Sequence, residues 1–339
     1  MADYAAAVIH RKAGASTMQA QTPHPYPSIW HGTGAALLAV VLWALIPLLV
    51  TSAEGLPPLR LSTLALLAGA LATLPMARRR RRGESDQPLG QGLVVYAGVS
   101  LLIAVAVGGC FMSFSLAPTA EAALIAYTWP VFFLLASQWL TTRRLTLTTL
   151  IGALLAFSGA ALLVAPQALA SGLSGPWHGY LLALAAALCW ALYSLACQVP
   201  AYRLSQRLPH LLLIASLITG AASLALEGMS AMPSPTALLA TAVLGLGPYG
   251  IAMLAWERAL QAPQAQRLGN LAHAVPVLAT LFLMLAGVTA PDWRLPIAAG
   301  LVVWGSIVAS AGAKASARRL SNKRPEMDID LQDDPAQLH

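Results

Sequence analysis

Trp30-His31-Gly32-Thr33, running on to Trp43-Ala44-Leu45, returns 147 residues later as Trp177-His178-Gly179-Tyr180, running on to Trp190-Ala191-Leu192. Nine of the sixteen positions between 30 and 45 are identical in the second copy. Alanine and leucine matches are cheap in an apolar chain. Two tryptophans, a histidine and a glycine in register are not, and the chain reads as an internal duplication. A second correspondence lies elsewhere: Pro130-Val131 and Pro276-Val277 are 146 residues apart, so the shift persists to within one residue.

The text between the copies sets the class. Hydrophobic residues make up 58% of the chain and charged residues 10%, against roughly 45–50% and about 25% in soluble domains. A bilayer core needs about 20 apolar residues per helical span. Ten runs of that kind are expected, at 32–52, 56–77, 91–116, 119–141, 147–166, 178–199, 209–226, 236–260, 267–288 and 295–315. A polar tail precedes the first run and no small-residue cleavage site follows it, which argues against a signal peptide.

The net charge of +7 invites a nucleic-acid reading, but the basic residues alternate with the spans. With the N-terminus inside, the inner side receives Arg11, Lys12, Arg78 to Arg82, Arg143, Arg144, Arg203, Arg207, Arg258, Arg267, Lys314, Arg318, Arg319, Lys323 and Arg324, which is 18 of 20. Only Arg60 and Arg294 fall outside. Positive-inside bias therefore predicts both termini in the cytoplasm, and the Arg78 to Arg82 block reads as an orientation signal. No nucleic-acid partner is expected; the partners are the lipid bilayer and a small molecule.

Five spans per copy is an odd number, so the copies face opposite ways. The expected organisation is a cytoplasmic tail 1–31, a first five-helix repeat 32–166, an outer linker 167–177, a second repeat 178–315 and a cytoplasmic tail 316–339. The fold class is all-α integral membrane, two inverted repeats around a central cavity, an arrangement that places substrate sites near the midplane in many secondary transporters. The tail after Arg324, with Asp328, Asp330, Asp333 and Asp334, reads as disordered.

Candidate site residues follow from depth and chemistry. Trp43 and Trp190 lie eleven or twelve residues into their spans, about 16–18 Å at a rise of 1.5 Å per residue and so near mid-depth. Interfacial belts would place tryptophan at the ends. Tyr193 sits one turn past Trp190, Tyr127 and Trp129 precede Pro130, and Tyr249 precedes Trp256 at helical spacing. Such rings offer flat walls plus an OH or NH to a ring-bearing ligand. Pro130 and Pro276 each remove a backbone hydrogen bond inside a span and are read as helix kinks at the site. His273, with Asn270 one turn before it, is read as lining the cavity, because intramembrane polar groups are costly. Glu121 and Glu257 are read as helix ends wetted by solvent, so no mid-depth acid supports proton coupling or cationic-drug binding. Cys110, Cys189 and Cys197 show no paired spacing and are read as packing residues, with no metal or other cofactor. The stripes Gly152, Ala156, Ala160 and Gly305, Ala309, Ala313 give spans five and ten small faces for close packing. A monomer is expected, with a dimer contact there as the alternative.

The run Ala122-Ala123-Leu124-Ile125-Ala126-Tyr127-Thr128-Trp129-Pro130, with the ten-span plan, resembles the drug/metabolite transporter superfamily. Tyr127-Thr128-Trp129-Pro130, Ala255-Trp256 and Ala274-Val275-Pro276-Val277-Leu278 through Leu281-Phe282 resemble the bacterial aromatic amino acid exporters within it. The resemblance implies a basket-like bundle lined by spans one, three, four, six, eight and nine. It also implies export of amino acids across the bacterial inner membrane by alternating access, with Tyr127, Trp129, Pro130, Trp256 and Pro276 at matching positions. Efflux of drugs or other metabolites is the alternative within the superfamily, and a channel or scaffold the alternative outside it. No enzymatic role is expected: no Gly-x-Ser-x-Gly, His-Glu-x-x-His or pair of core acids is present.

Overall fold

The computed structural model describes residues 29–53, 55–80, 89–171, 175–229, 232–262 and 265–321. Residues 1–28, Arg81, Arg82, Lys323, Arg324 and the acidic run from Asp328 to Asp334 lie outside them. All regular structure among the described residues is helical. Among the described residues, nine segments are long and apolar enough to cross a bilayer, from Gly32–Thr51 to Arg294–Gly312. The tenth expected span, 267–288, is occupied by a broken helix whose apolar part, Asn270–Leu285, is shorter. Large apolar side chains stand outward along the bundle, among them Leu93, Leu217 and Val303, each at least 60% exposed. That is the surface a bilayer solvates and water does not.

The packing obeys a two-fold relation between the repeats. Span two (Pro58–Arg80) packs on span seven (Leu204–Leu226), and span five (Leu147–Ser171) on span ten (Arg294–Ser321), so each of these helices meets its own counterpart. Span one (Ile29–Ala44, Ile46–Thr51) lies against spans eight and nine. Span six (Trp177–Cys197) lies against spans three and four, the mirror set. Elements that meet their own image, flanked by reciprocal pairs, are what a two-fold operation generates.

Small residues make these crossings possible. A Cβ on Gly152 would overlap the backbone of Ala309, and one on Gly305 the backbone of Ala156. The small faces of spans five and ten are therefore spent on each other. Spans two and eight cross where a Cβ on Gly245 would overlap the backbone at Ala65 and Gly69. Hydroxyls tie span two to span seven: Thr63 Oγ1 donates to Thr219 Oγ1 at 3.1 Å and Ser216 Oγ to the Thr63 carbonyl at 2.9 Å. At the end of span seven, the Glu227 carboxylate accepts from the Leu59 and Arg60 amides at 2.7 and 3.0 Å. One repeat thus caps a helix N-terminus of the other, where orphan N–H groups and the helix dipole favour an anion.

The spans near the centre are interrupted. Span four breaks at Tyr127 and Thr128, between Thr119–Ala126 and Trp129–Thr142. Span nine narrows to a 3-10 stretch, Asn270–Ala274, between Ala265–Gly269 and Val275–Leu285. Pro130 and Pro276 each occupy the first turn of the second segment, where an amide hydrogen has no intrahelical acceptor to lose. Span one breaks the same way before Pro47. Spans three and eight instead widen to π-helical turns, Val105–Gly109 and Gly245–Ile251, the latter holding Pro248. Most residues of the π-turns are buried in the bundle, Ala106 to Gly109 and Gly247 to Gly250 among them, where hydrogen-bond satisfaction in a bilayer favours irregular backbone.

Candidate functional site

The interruptions converge on four tryptophans. The Trp43 ring stands edge-on to Trp256, Trp190 and Trp129, with centroids 5.1, 5.4 and 6.2 Å away. Trp129 also meets Trp190 and Trp256 at 6.2 and 5.9 Å. Edge-to-face geometry of this kind sets the positive edge of one ring on the negative face of the next. The four rings come from spans one, four, six and eight, so the layer joins both repeats.

Two of the indole N–H groups are committed to the protein. Trp43 Nε1 donates to the Pro248 carbonyl in the π-turn of span eight at 3.0 Å, and Trp256 Nε1 to Ser194 Oγ at 3.1 Å. The other two are uncommitted. Trp129 and Trp190 find no acceptor among the described residues, and both rings border a cavity.

That cavity measures about 160 Å³ and has the tryptophan layer as its floor. A cavity of about 150 Å³ accepts benzene, so this one holds an aromatic ring of that size. Its walls include Ile46 and Pro47 of span one, Cys110, Phe111 and Phe114 of span three, Tyr127 of span four, Ala187 of span six, Tyr249 of span eight and Val275 of span nine. It spreads toward the ends of spans one and three marked by Pro47 and Phe114, the end of the bundle away from Ile29 and Ser321. No charged side chain among the described residues borders it. The polar groups it offers are neutral: the two open indoles, two tyrosine hydroxyls and the Cys110 thiol.

The residues selected from the sequence divide into three groups. Trp43, Tyr127, Trp129, Trp190 and Tyr249 border the cavity. Tyr193 and Trp256 pack beneath it, 1% and 0% exposed, with Phe133 and Met253. Asn270 and His273 do not reach it. The 3-10 winding of span nine turns Asn270 onto span ten, where its amide donates to the Ser306 carbonyl at 3.4 Å and Ser310 Oγ at 3.3 Å. His273 is 2% exposed, and neither ring nitrogen has a partner among the described residues. The helical periodicity assumed for 270–277 fails because its first part, Asn270–Ala274, is wound at three residues per turn, not 3.6.

The two acids also differ from expectation. Glu121 and Glu257 are 2% and 3% exposed, not wet. Neighbouring helix ends fold over both. The Tyr180 hydroxyl, from the start of span six, donates to Glu121 and accepts from the Gly175 amide at 2.9 Å. Gln261 Nε2 donates to Glu257 at 3.0 Å and lies 3.4 Å from the Cys197 carbonyl, joining the ends of spans six and eight. Ser137 and Gln198 join spans four and six at 3.0 Å on the same side. The bundle is thus closed beneath the tryptophan layer, on the side where span one begins and span ten ends.

Sequence reading missed Pro47, although a tryptophan followed within a turn by proline is the pattern that singled out Trp129-Pro130. It also missed Cys110, Phe111 and Phe114, since only the π-turn of span three rotates them inward. All three cysteines are free.

The comparisons agree with this geometry. The profile of the EamA-like transporter family matches twice, over residues 30–165 and 177–311. The aromatic amino acid exporter YddG of Ancylobacter novellus is 33% identical over 281 residues, 81% of this chain and 96% of that protein. One solved crystal structure is 31% identical and superposes with a TM-score of 0.70, covering 82% of this chain and 98% of the other. Family match, relative and fold point the same way: this chain is a multi-pass membrane transporter that belongs to the EamA-like family of the drug/metabolite transporter superfamily.

Proposed function

We propose that the protein exports amino acids, aromatic and other apolar ones among them, across the bacterial inner membrane by alternating access, with both termini in the cytoplasm. The observation that carries this reading is the uncharged aromatic cavity over the tryptophan layer, with two indole N–H groups left for a ligand. A ring-bearing side chain stacks against these walls, each aromatic contact contributing about 0.5–1.5 kcal/mol. Its carboxylate accepts from Trp129, Trp190 or a tyrosine hydroxyl. The present conformation is the outward-facing one: the cavity spreads toward the outer ends of spans one and three, while Phe133, Tyr193 and Glu257 close the cytoplasmic side. The repeats 32–166 and 178–315 rock about the tryptophan layer to reach the other state, and substrate shifts the two populations only by its differential affinity for them.

The test is counterflow into liposomes holding this protein alone, comparing phenylalanine, tryptophan, threonine and a quaternary ammonium dye. Saturable uptake of the aromatic amino acids is expected. Uptake of the dye alone would assign drug efflux instead, and no saturable amino acid uptake would remove the proposal.

A further inference from the structure

The shift of 146 that matches Pro130 with Pro276 also matches Trp129 with Val275 and Tyr127 with His273. Trp129 and Val275 both border the cavity, as equivalent positions should. Tyr127 borders it as well, whereas His273 does not. The helices break at the same place in both copies, but differently: an open turn at Tyr127 and Thr128, a tight 3-10 stretch around His273.

Tyr127 lies in the first half of span four and His273 in the first half of span nine. Because the copies are inverted, those halves stand at opposite ends of the bundle. The cavity occupies the Tyr127 end. At the His273 end, both imidazole nitrogens and Asn270 Oδ1 are buried without partners among the described residues, on the one helix face that a three-residue repeat brings together. Buried polar atoms are almost always paired, and unpaired ones disfavour the conformation that encloses them. A polar group on a broken helix, enclosed without partners here and equivalent to a cavity-lining residue, is in its place when the cavity lies on its own side.

We infer that His273 is the inward-facing counterpart of Tyr127: enclosed in the present conformation, it lines the cavity on the cytoplasmic side in the alternate one, presenting one N–H and one lone pair to the polar head of the transported zwitterion. Exchange of the local structures of spans four and nine, the operation that an inverted repeat makes available, produces that exposure. The release of Asn270 from Ser306 and Ser310 accompanies it.

The inference rests on the transport reading above, and the experiment separates the two. Tyr127→Cys and His273→Cys are each reconstituted, and counterflow is measured alongside unsubstituted protein. A membrane-impermeant maleimide is then applied from either face during exchange of phenylalanine. Modification is assigned to position 127 or 273 by peptide mass spectrometry, so Cys110, Cys189 and Cys197 stay in place. The cysteine at 127 is expected to react at least tenfold faster from the outer face, and that at 273 at least tenfold faster from the inner face. Labelling at 127 with none at 273 from the inner face overturns the inference and leaves transport standing. Absence of counterflow in unsubstituted protein overturns transport itself. Diethyl pyrocarbonate modification of His273 in the unsubstituted chain covers a failure of His273→Cys to fold. A rate raised several-fold by phenylalanine exchange supports the inference, and an unchanged rate overturns it.

Discussion

Trp43 and Trp190 are the same residue in the two copies, yet they are held differently, and replacing each by phenylalanine separates a fastener from a ligand contact. Trp43 is 4% exposed, touches three other indoles and donates to the Pro248 carbonyl across the repeat boundary. Trp43→Phe keeps a ring in the layer but removes the donor, leaving a buried carbonyl short of a partner at a cost of about 1–3 kcal/mol. Trp190→Phe shrinks the ring similarly but removes an N–H that no described residue accepts. At about 2 °C per kcal/mol, Trp43→Phe is expected to unfold about 2–6 °C lower than wild type, and Trp190→Phe within about 1 °C of it. In counterflow the order reverses. Loss of a hydrogen bond to a substrate carboxylate, about 1.5–3 kcal/mol, raises the half-saturating phenylalanine concentration roughly 10- to 100-fold for Trp190→Phe, with Trp43→Phe near wild type below its transition. Thermal unfolding in detergent by calorimetry and counterflow on the same preparations decide the matter. Equal thermal shifts, or a larger change in half-saturation for Trp43→Phe, would refute the division of roles.

Four other substitutions address the scaffold. Gly305→Ala places a Cβ onto the Ala156 backbone and is expected to destabilise by about 1–3 kcal/mol; Gly300→Ala on the same helix meets nothing within 4 Å and should leave the detergent transition unchanged. Glu227→Ala uncaps span two, with a loss of about 1–2 kcal/mol read in the same scan; an unchanged transition would show the cap to be dispensable. Tyr180→Phe takes one donor from the buried Glu121 carboxylate, and a drop of about 1–3 kcal/mol is expected, with wild-type stability counting against that bond.

The legible part of this chain is the part written by periodicity and charge. Runs of apolar residues and the spacing of Trp43 and Trp190 located the spans and the central rings, because a bilayer imposes length and because tryptophan at mid-depth has no interfacial reason to be there. The partners of those rings were not legible. Whether an indole donates to Pro248 or to nothing depends on a π-turn that adds one residue to a helical turn, and no composition rule marks it beyond the glycines and proline around it. Asn270 and His273 were misplaced for a related reason: a face drawn at 3.6 residues per turn drifts by about 20° per residue through 3-10 winding, about a sixth of a turn between Asn270 and His273. The acids were misjudged because burial at a helix end is decided by the neighbouring chain, here Tyr180 and Gln261, and not by the residue's own position along its span.

The two copies pack as a two-fold pair but differ in local detail around the cavity. Pro47 breaks span one, while the residue at the equivalent register, Ser194, sits in the unbroken helix of span six and accepts from Trp256. Trp43 is tethered and Trp190 is open; Tyr127 faces the cavity and His273 is enclosed. Meanwhile spans two and seven, and five and ten, pair as images of each other with small residues and hydroxyls interlocked. A static pore gains nothing from differences confined to its lining. Under the proposed alternating access they are required, because two inverted copies in identical conformations would present the same opening to both sides at once. On the same proposal the symmetric pairs act as the frame, and the asymmetric spans one, four, six and nine as the parts that exchange conformation.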